Sequence, residues 1–222
     1  MEIKMLKLLY SPTAAGNKVL IALEELNLEY ASLPINVFKK MQFLEAYKSI
    51  IPTAKIPSLI DDGKVLFESG AILYYLAAKH GKLMPQNNYT EALSWFIWEQ
   101  SELSPKFVQH YRAKMQNPDN AAMHASIEDN IKNLLLLLNA HLTGKTYIAD
   151  EFSIADISVY GWLKHYISGD KIPNLIAGLD NIAKWLSTMD NRESVKKVAA
   201  LAKNFDWNGE ISESELIAFL NK

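Results

Sequence analysis

Lys55-Ile56-Pro57-Ser58-Leu59-Ile60-Asp61-Asp62-Gly63-Lys64-Val65-Leu66-Phe67-Glu68-Ser69-Gly70 is the stretch from which the fold can be read. Two short apolar runs, Ile56 to Ile60 and Lys64 to Phe67, flank Asp61-Asp62-Gly63. Aspartate and glycine tolerate the positive backbone angles of a tight turn, so this pattern predicts a β-hairpin. Pro57 cannot donate to a strand ladder and belongs at an edge or in a cis turn where the first strand begins. Beyond Phe67, Ile72, Leu73, Tyr75 and Leu76 recur at helical spacing, which predicts a helix opening near Ser69 with that serine as its N-cap.

Upstream, Leu6 to Tyr10 reads as a short apolar strand, followed by a loop with Ser11, Pro12 and Gly16. A helix carrying Val19, Leu20, Ala22, Leu23 and Leu26 comes next, then a strand over Glu29 to Ile35 and a helical stretch around Gln42 to Lys48. The order β-α-β-α-β-β-α joins a parallel crossover to a hairpin, the plan of a thioredoxin-like α/β domain with a mixed four-stranded sheet, expected over residues 1–82. His80 to Thr90, with Gly81, Pro85 and two asparagines, reads as a linker.

Residues 90–222 show helical patterns and no strand of any length: Ala92 to Met115, His124 to Leu142, Ile154 to Ile167, Ile182 to Met189 and Val195 to Ala202. An all-α, C-terminal helical bundle domain is therefore expected. Within it, Ser153-Ile154-Ala155-Asp156 predicts a capping box, with Phe152 and Ile157 spaced for a hydrophobic staple, a folding element rather than a site.

The 222 residues include 23 basic and 25 acidic side chains and are 49% hydrophobic, enough to bury sizeable cores in two domains. Charge is spread evenly, so no basic face suggests nucleic acid as a partner. Cysteine is absent, which excludes disulfides and protein-thiol redox chemistry; any sulfur chemistry must use sulfur brought by a ligand. The longest leucine run, Leu134 to Leu138, is far too short to cross a bilayer, and the charged stretch Met1 to Lys7 does not read as a signal peptide. The expectation is a cytoplasmic protein without a membrane partner. The five histidines lack ligand spacing, so no catalytic metal is expected.

Two local features carry binding chemistry. A cis Ile56-Pro57 bond would turn the Ile56 main chain outward to pair with an extended peptide, the alternative being a plain turn. Glu68-Ser69 at a helix start offers free amides to a carboxylate, the alternative being an ordinary serine cap.

These pieces, from Leu8-Leu9-Tyr10-Ser11-Pro12-Thr13 through Lys55-Ile56-Pro57 and Phe67-Glu68-Ser69-Gly70-Ala71-Ile72 to Ser153-Ile154-Ala155-Asp156, resemble the glutathione transferase superfamily over residues 5 to 200. Tyr10 to Thr13 with Gly16 and Lys18, Gln42-Phe43, and Trp98 with Pro105 look most like the bacterial nu class and its fungal prion-regulator relatives. The resemblance implies that glutathione is the co-substrate. Ile56 would pair with its cysteinyl unit beside cis Pro57, Glu68 and Ser69 would hold its γ-glutamyl end, and Lys55 and Gln42 would lie near its glycyl carboxylate. It also implies a homodimer.

At the sulfur end the pattern is broken. The position holding asparagine in the nu class, or serine in other classes, is Ala15. A thiol of pKa near ~8.5 needs donors to become a thiolate at neutral pH. Thr13, together with amides of the helix beginning near Gly16, is the expected stabiliser, with Ser11, Asn17 and Tyr10 as further donors. A second-substrate pocket would be lined from the helical domain by Phe107, Tyr111 and Trp162; aromatic residues at this spacing also suit an ordinary core.

Residues 204–215 can be laid on a twelve-residue EF-hand calcium loop, with Asn204, Asp206, Asn208, Glu210 and Glu215 as candidate ligands and Gly209 at the sharp turn. The alternative is a C-terminal cap with an Asx-type turn. The leading functional expectation is a glutathione-dependent transferase activating the thiol for attack on an electrophile, peroxide or disulfide. The other expectation, kept open by Ala15, is a noncatalytic glutathione or hydrophobic-ligand binder, or a regulatory protein, on the same fold.

Overall fold

The computed structural model describes residues 5–169 and 171–221; Met1 to Lys4 of the N-terminal stretch read above lie outside them. The first elements are β1 (Leu6–Tyr10), α1 (Ala14–Glu25), β2 (Tyr30–Pro34), a 3-10 turn at Met41–Phe43, α2 (Glu45–Ile50), β3 (Ser58–Asp61), β4 (Lys64–Phe67) and α3 (Ser69–His80). The sheet order is β2-β1-β3-β4, with β1 parallel to β2, β3 antiparallel to β1 and β4 antiparallel to β3. This is the mixed sheet of a thioredoxin-like domain. The hairpin turns through Asp62 and Gly63, both at positive φ (49° and 75°), as a two-residue turn of matching twist requires.

Alternation along the strands decides what each face buries. Leu9 and Ile60 face a core with Ile35, Met41, Tyr47 and Ile51. Leu8 and Leu59, fully buried, point the other way, where α1 and α3 pack together.

The remaining helices are α4 (Tyr89–Trp98), α5 (Ser104–Gln116), α6 (Ala121–His141), α7 (Ile154–Ser168), α8 (Asp180–Asp190), α9 (Glu193–Lys203) and α10 (Glu213–Asn221). The single helical pattern read over Ala92 to Met115 is interrupted by a π-helical turn at Glu99–Leu103. Pro105, in the first turn of α5, has no amide to continue the ladder, and the backbone widens just before it. Among the described residues after His80, the only β-type pairing is a bridge between Ala149 and Glu151.

Contacts divide the chain into two compact units, one of residues up to His80 together with Glu193 onward, the other Gly81–Arg192. This departs from the expected division at 82 and 90, which gave all of 90–222 to the helical domain. Helix α9 packs on α1, with Val195 and Val198 buried, Ser194 donating to Glu25 and Lys197 3.2 Å from Glu24. Helix α10 packs on α2 and buries Leu216 in the core beneath the sheet.

In the second unit the capping box of α7 forms as read. Asp156, fully buried, accepts from the Ser153 amide (3.0 Å) and hydroxyl (3.2 Å), the Ile148 amide (2.9 Å) and Trp185 Nε1 (2.9 Å). Phe152 stacks under the Arg192 guanidinium at 3.5 Å and meets Tyr147 edge-on.

Candidate functional site

The strand register gathers the separate motifs at one end of the sheet. Leu9 pairs with Ser58, Ser58 with Phe67, and Tyr10 with Pro34. Directly opposed residues in such ladders lie roughly 5 Å apart at Cα. The loop holding Thr13, the Ile56-Pro57 turn, the Glu68-Ser69 junction and the segment running to Gln42 all leave the sheet from that same end.

Thr13 caps α1, its Oγ1 accepting from the Gly16 amide at 3.2 Å. Its own hydrogen points at the Ser11 carbonyl across 3.5 Å, the limit of a hydrogen bond, which leaves it available to a stronger acceptor. The amides of Ala14 and Ala15, like those of any first helical turn, have no partner within the helix. Gly16 has a steric duty, since a Cβ there would overlap the Ser11 carbonyl oxygen. The other expected donors are differently engaged. Ser11 is buried and donates to the Ile35 carbonyl, and Tyr10 packs edge-on against Phe205 at 6.2 Å. Asn17 is half-buried, with Oδ1 sequestered and without a hydrogen-bond partner.

Ile56-Pro57 is cis, and Ile56 lies just outside the ladder, which begins at Ser58. Lys55 is exposed, while its carbonyl accepts from the Tyr47 hydroxyl at 2.7 Å. Gln42 is half-buried on the 3-10 turn, with Oε1 lacking a partner.

The cap of α3 is one residue earlier than read. Glu68 has φ of 66° and its carbonyl accepts the first helical bond, from Ile72 at 3.0 Å. Glu68 is therefore the cap and Ser69 the first helical residue, because the left-handed backbone at Glu68 turns strand directly into helix. A non-glycine residue held there marks a conformation imposed by its surroundings, and such positions cluster at binding sites. The Glu68 side chain is exposed beside the amides of Ser69, Gly70 and Ala71, an arrangement offering a carboxylate for a cation next to donors for an anion.

A family model described as glutathione S-transferase, N-terminal domain, matches residues 3–78, and one described as glutathione S-transferase, C-terminal domain, matches 103–193. The chain belongs to the glutathione transferase superfamily. It is 34% identical over 197 residues to a glutathione S-transferase domain-containing protein of Dictyostelium discoideum, covering 82% of this chain and 75% of that one. It is 31% identical to the disulfide-bond oxidoreductase YfcG of Escherichia coli (strain K12), over 72% of this chain and 79% of that protein. A glutathione transferase of Burkholderia graminis, solved with two glutathione molecules bound per subunit, superposes with a TM-score of 0.82 at 33% identity, covering 90% of each chain.

Elsewhere in this superfamily member, Phe107 has no exposed surface; its ring stacks on Trp162 at 5.9 Å and meets Tyr166 at 4.2 Å. Of the three aromatic residues expected to line a pocket, Phe107 is thus core, whereas Trp162 is half-buried and Tyr111 is exposed.

The tail does not assemble the candidate calcium ligands. Glu215 closes a capping box with Ser212, accepting from its amide and hydroxyl at 2.7 Å each, and Glu210 pairs with Lys39 at 3.0 Å. Asp206 accepts from the Asn208 amide at 2.9 Å in an Asx turn, and Asn204 is exposed in the same loop. Among the described residues no group of three or more His, Asp or Glu side chains is placed to hold a metal ion.

Sequence reasoning missed Tyr47 and Asn36. Tyr47 is fully buried and bridges Lys55 to Ser58; Asn36, also buried, donates to the carbonyls of Trp207 (2.7 Å) and Gly209 (3.2 Å). The Asn36 partners in the tail are distant in sequence, and the Tyr47 partners, 8 and 11 residues on, lie across a turn that no helical or strand period links to α2.

Proposed function

We propose that this protein is a glutathione-dependent transferase that binds glutathione at the Thr13, Ile56-Pro57 and Glu68-Ser69 end of its sheet and activates the ligand's thiol. The observation that carries the reading is the junction at Glu68-Ser69 beside Ile56-Pro57, brought together by the Ser58–Phe67 pairing. A γ-glutamyl group presents an ammonium and a carboxylate on one carbon. Glu68 meets the first, and Ser69 with the opening amides of α3 meets the second. The Ile56 main chain would pair with the cysteinyl unit, and Gln42 and Lys55 would hold the glycyl carboxylate.

The thiolate would form against the Thr13 hydroxyl and the Ala14 and Ala15 amides, where the positive end of α1 favours an anion. Electrophilic carbons, peroxides and disulfides are all substrates for such a sulfur. Disulfide exchange suits this chain best, since it has no cysteine and its relatives include a disulfide-bond oxidoreductase and a transferase holding two glutathione molecules per subunit. One glutathione thiolate attacks the glutathione sulfur of a mixed disulfide. The new S–S bond makes glutathione disulfide, and the other thiol leaves as its thiolate and is protonated.

Tyr10-Ser11-Pro12-Thr13 with Gly16 and Lys18 supports placement beside the nu class and its fungal prion-regulator relatives. A cytoplasmic homodimer is the matching assembly, symmetric pairing being the common case. Among the described residues no helix is long and apolar enough to cross a membrane.

Ala15 favours the second reading, a noncatalytic binder. Calorimetry with reduced and oxidised glutathione tests the site: Glu68→Gln and Ser69→Ala should each weaken binding about tenfold or more. No binding by the wild-type protein would end the reading. Turnover of a mixed disulfide, a chloroaromatic or an organic hydroperoxide separates enzyme from binder, which would bind and fail all three.

A further inference from the structure

We infer that Glu213, with the helix α10 that it opens, positions the α2 wall of the glutathione site; the inference rests on the reading above. Helix α2 has six residues, too few to hold their shape unaided, and Leu44 at its cap supplies no side-chain hydrogen bond. The missing cap comes from far along the chain, because the Glu213 carboxylate accepts from the Ala46 amide. A carboxylate there also opposes the positive end of the helix. One turn further on, Leu216 is fully buried against Leu9, Ile35, Met41, Tyr47 and Ile51.

The rest of the tail grips the same segment. Asn36 holds the Trp207 and Gly209 carbonyls with its amide nitrogen, while its Oδ1 accepts from the Phe38 and Lys39 amides at 3.1 and 3.3 Å. Phe38 meets Trp207 at 5.2 Å, and the end of α10 is held to β1, where Lys7 reaches the Leu220 carbonyl at 2.8 Å. Residues 36–50 are thus pinned by the tail, and this segment carries Gln42 and, through Tyr47, the Lys55 carbonyl. The family model for the C-terminal domain stops at 193, so this strut lies beyond it.

Glu213 touches neither ligand nor reacting sulfur; it acts through α2. If the wall is in place for only a fraction of molecules, the apparent dissociation constant rises by the inverse of that fraction. Losing a cap shifts such an equilibrium by about fivefold.

The test compares wild type, Glu213→Ala and Glu213→Gln in glutathione binding, steady-state kinetics and amide hydrogen exchange. Glu213→Ala should raise the dissociation constant and KM for glutathione by about twofold to fivefold, the cap's full factor being the upper limit, with kcat within about twofold, and should speed exchange across 45–56 while 81–192 stays protected. Glu213→Gln, which keeps an acceptor oxygen, should recover most of the affinity. Unchanged affinity in Glu213→Ala would overturn the inference and leave the glutathione site standing, as would a loss that follows general deprotection of the whole chain. Wild-type protein failing to bind glutathione would overturn both.

Discussion

The hydroxyl of Tyr47, buried in α2, donates to the Lys55 carbonyl at 2.7 Å and lies 3.2 Å from Ser58 Oγ. One side chain therefore holds both flanks of Ile56-Pro57. Burial pushes the Tyr47 hydroxyl up to about 12, against the opposing pull of the Ser58 hydrogen bond, so it remains a donor throughout the neutral range.

Tyr47→Phe removes that donor and leaves the Lys55 carbonyl short of a partner. Stability should fall by about 1–2 kcal/mol, and glutathione affinity about threefold or more, because the Ile56 main chain loses its support. Urea unfolding and calorimetry check the two effects; wild-type affinity in the variant would show that Ile56 is positioned without Tyr47.

Thr13 caps α1, and under the proposed function it also donates to the ligand's sulfur; substitution tests both roles. Thr13→Ala should cost about 1 kcal/mol of stability through the lost cap, and about tenfold to a hundredfold in turnover through the lost donor to sulfur. Thr13→Ser keeps both functions and should resemble wild type. Ultraviolet absorption of the bound thiolate, followed against pH, should show its pKa raised in Thr13→Ala alone; an unshifted curve would assign the sulfur to the Ala14 and Ala15 amides.

Asp156 shows how a buried carboxylate can be tolerated. Burial raises it to about 6, and the donors at Ile148, Trp185 and Ser153 oppose that rise, so it is mostly ionised at neutral pH. Asp156→Asn turns an NH2 group toward donors and should cost about 3 kcal/mol. The urea midpoint should drop with the slope unchanged. A midpoint equal to wild type would mean the capping box is dispensable.

His165 predicts a pH dependence. Burial, then the charge of neighbouring Lys171, lowers it to about 4, whereas an unfolded histidine titrates near ~6.5. The unfolded chain takes up the proton first, so this contribution is full above the unfolded value, falls as pH drops from ~6.5 towards ~4, and is lost below, by about 2 kcal/mol at most after allowing for partial exposure. Asp156 acts in the opposite sense over much of the same range. The readout is therefore the difference between wild type and His165→Gln in chemical denaturation at several pH values. A difference that stays constant across that range would remove His165 as its source.

Much of the local structure around the proposed site was legible because it is set by short-range rules. Asp62-Gly63 needs positive φ, Pro57 cannot join a ladder, and a helix opens directly after the strand ending at Phe67; each is a short-range property and appears where the residues suggested. The one-residue shift of the α3 cap to Glu68 was not legible, since nothing about glutamate announces a left-handed backbone. The aromatic spacing of Phe107 and Trp162 fits a core and a pocket equally well, and depth alone made Phe107 core.

By itself, the sequence determined the order of strands and helices apart from the break between α4 and α5 and the last helix, α10, together with the capping box at Ser153 and Asp156 and the absence of a protein thiol. These follow from period, turn chemistry and composition, which act over a few residues. Tertiary structure alone decided that residues 193–221 pack on the α/β unit, that Glu213 caps α2, that Asn36 holds the tail at Trp207 and Gly209, and that Tyr47 braces the flanks of Pro57. An amphipathic period states that a face will be buried, but the partner that buries it is chosen by contacts distant along the chain.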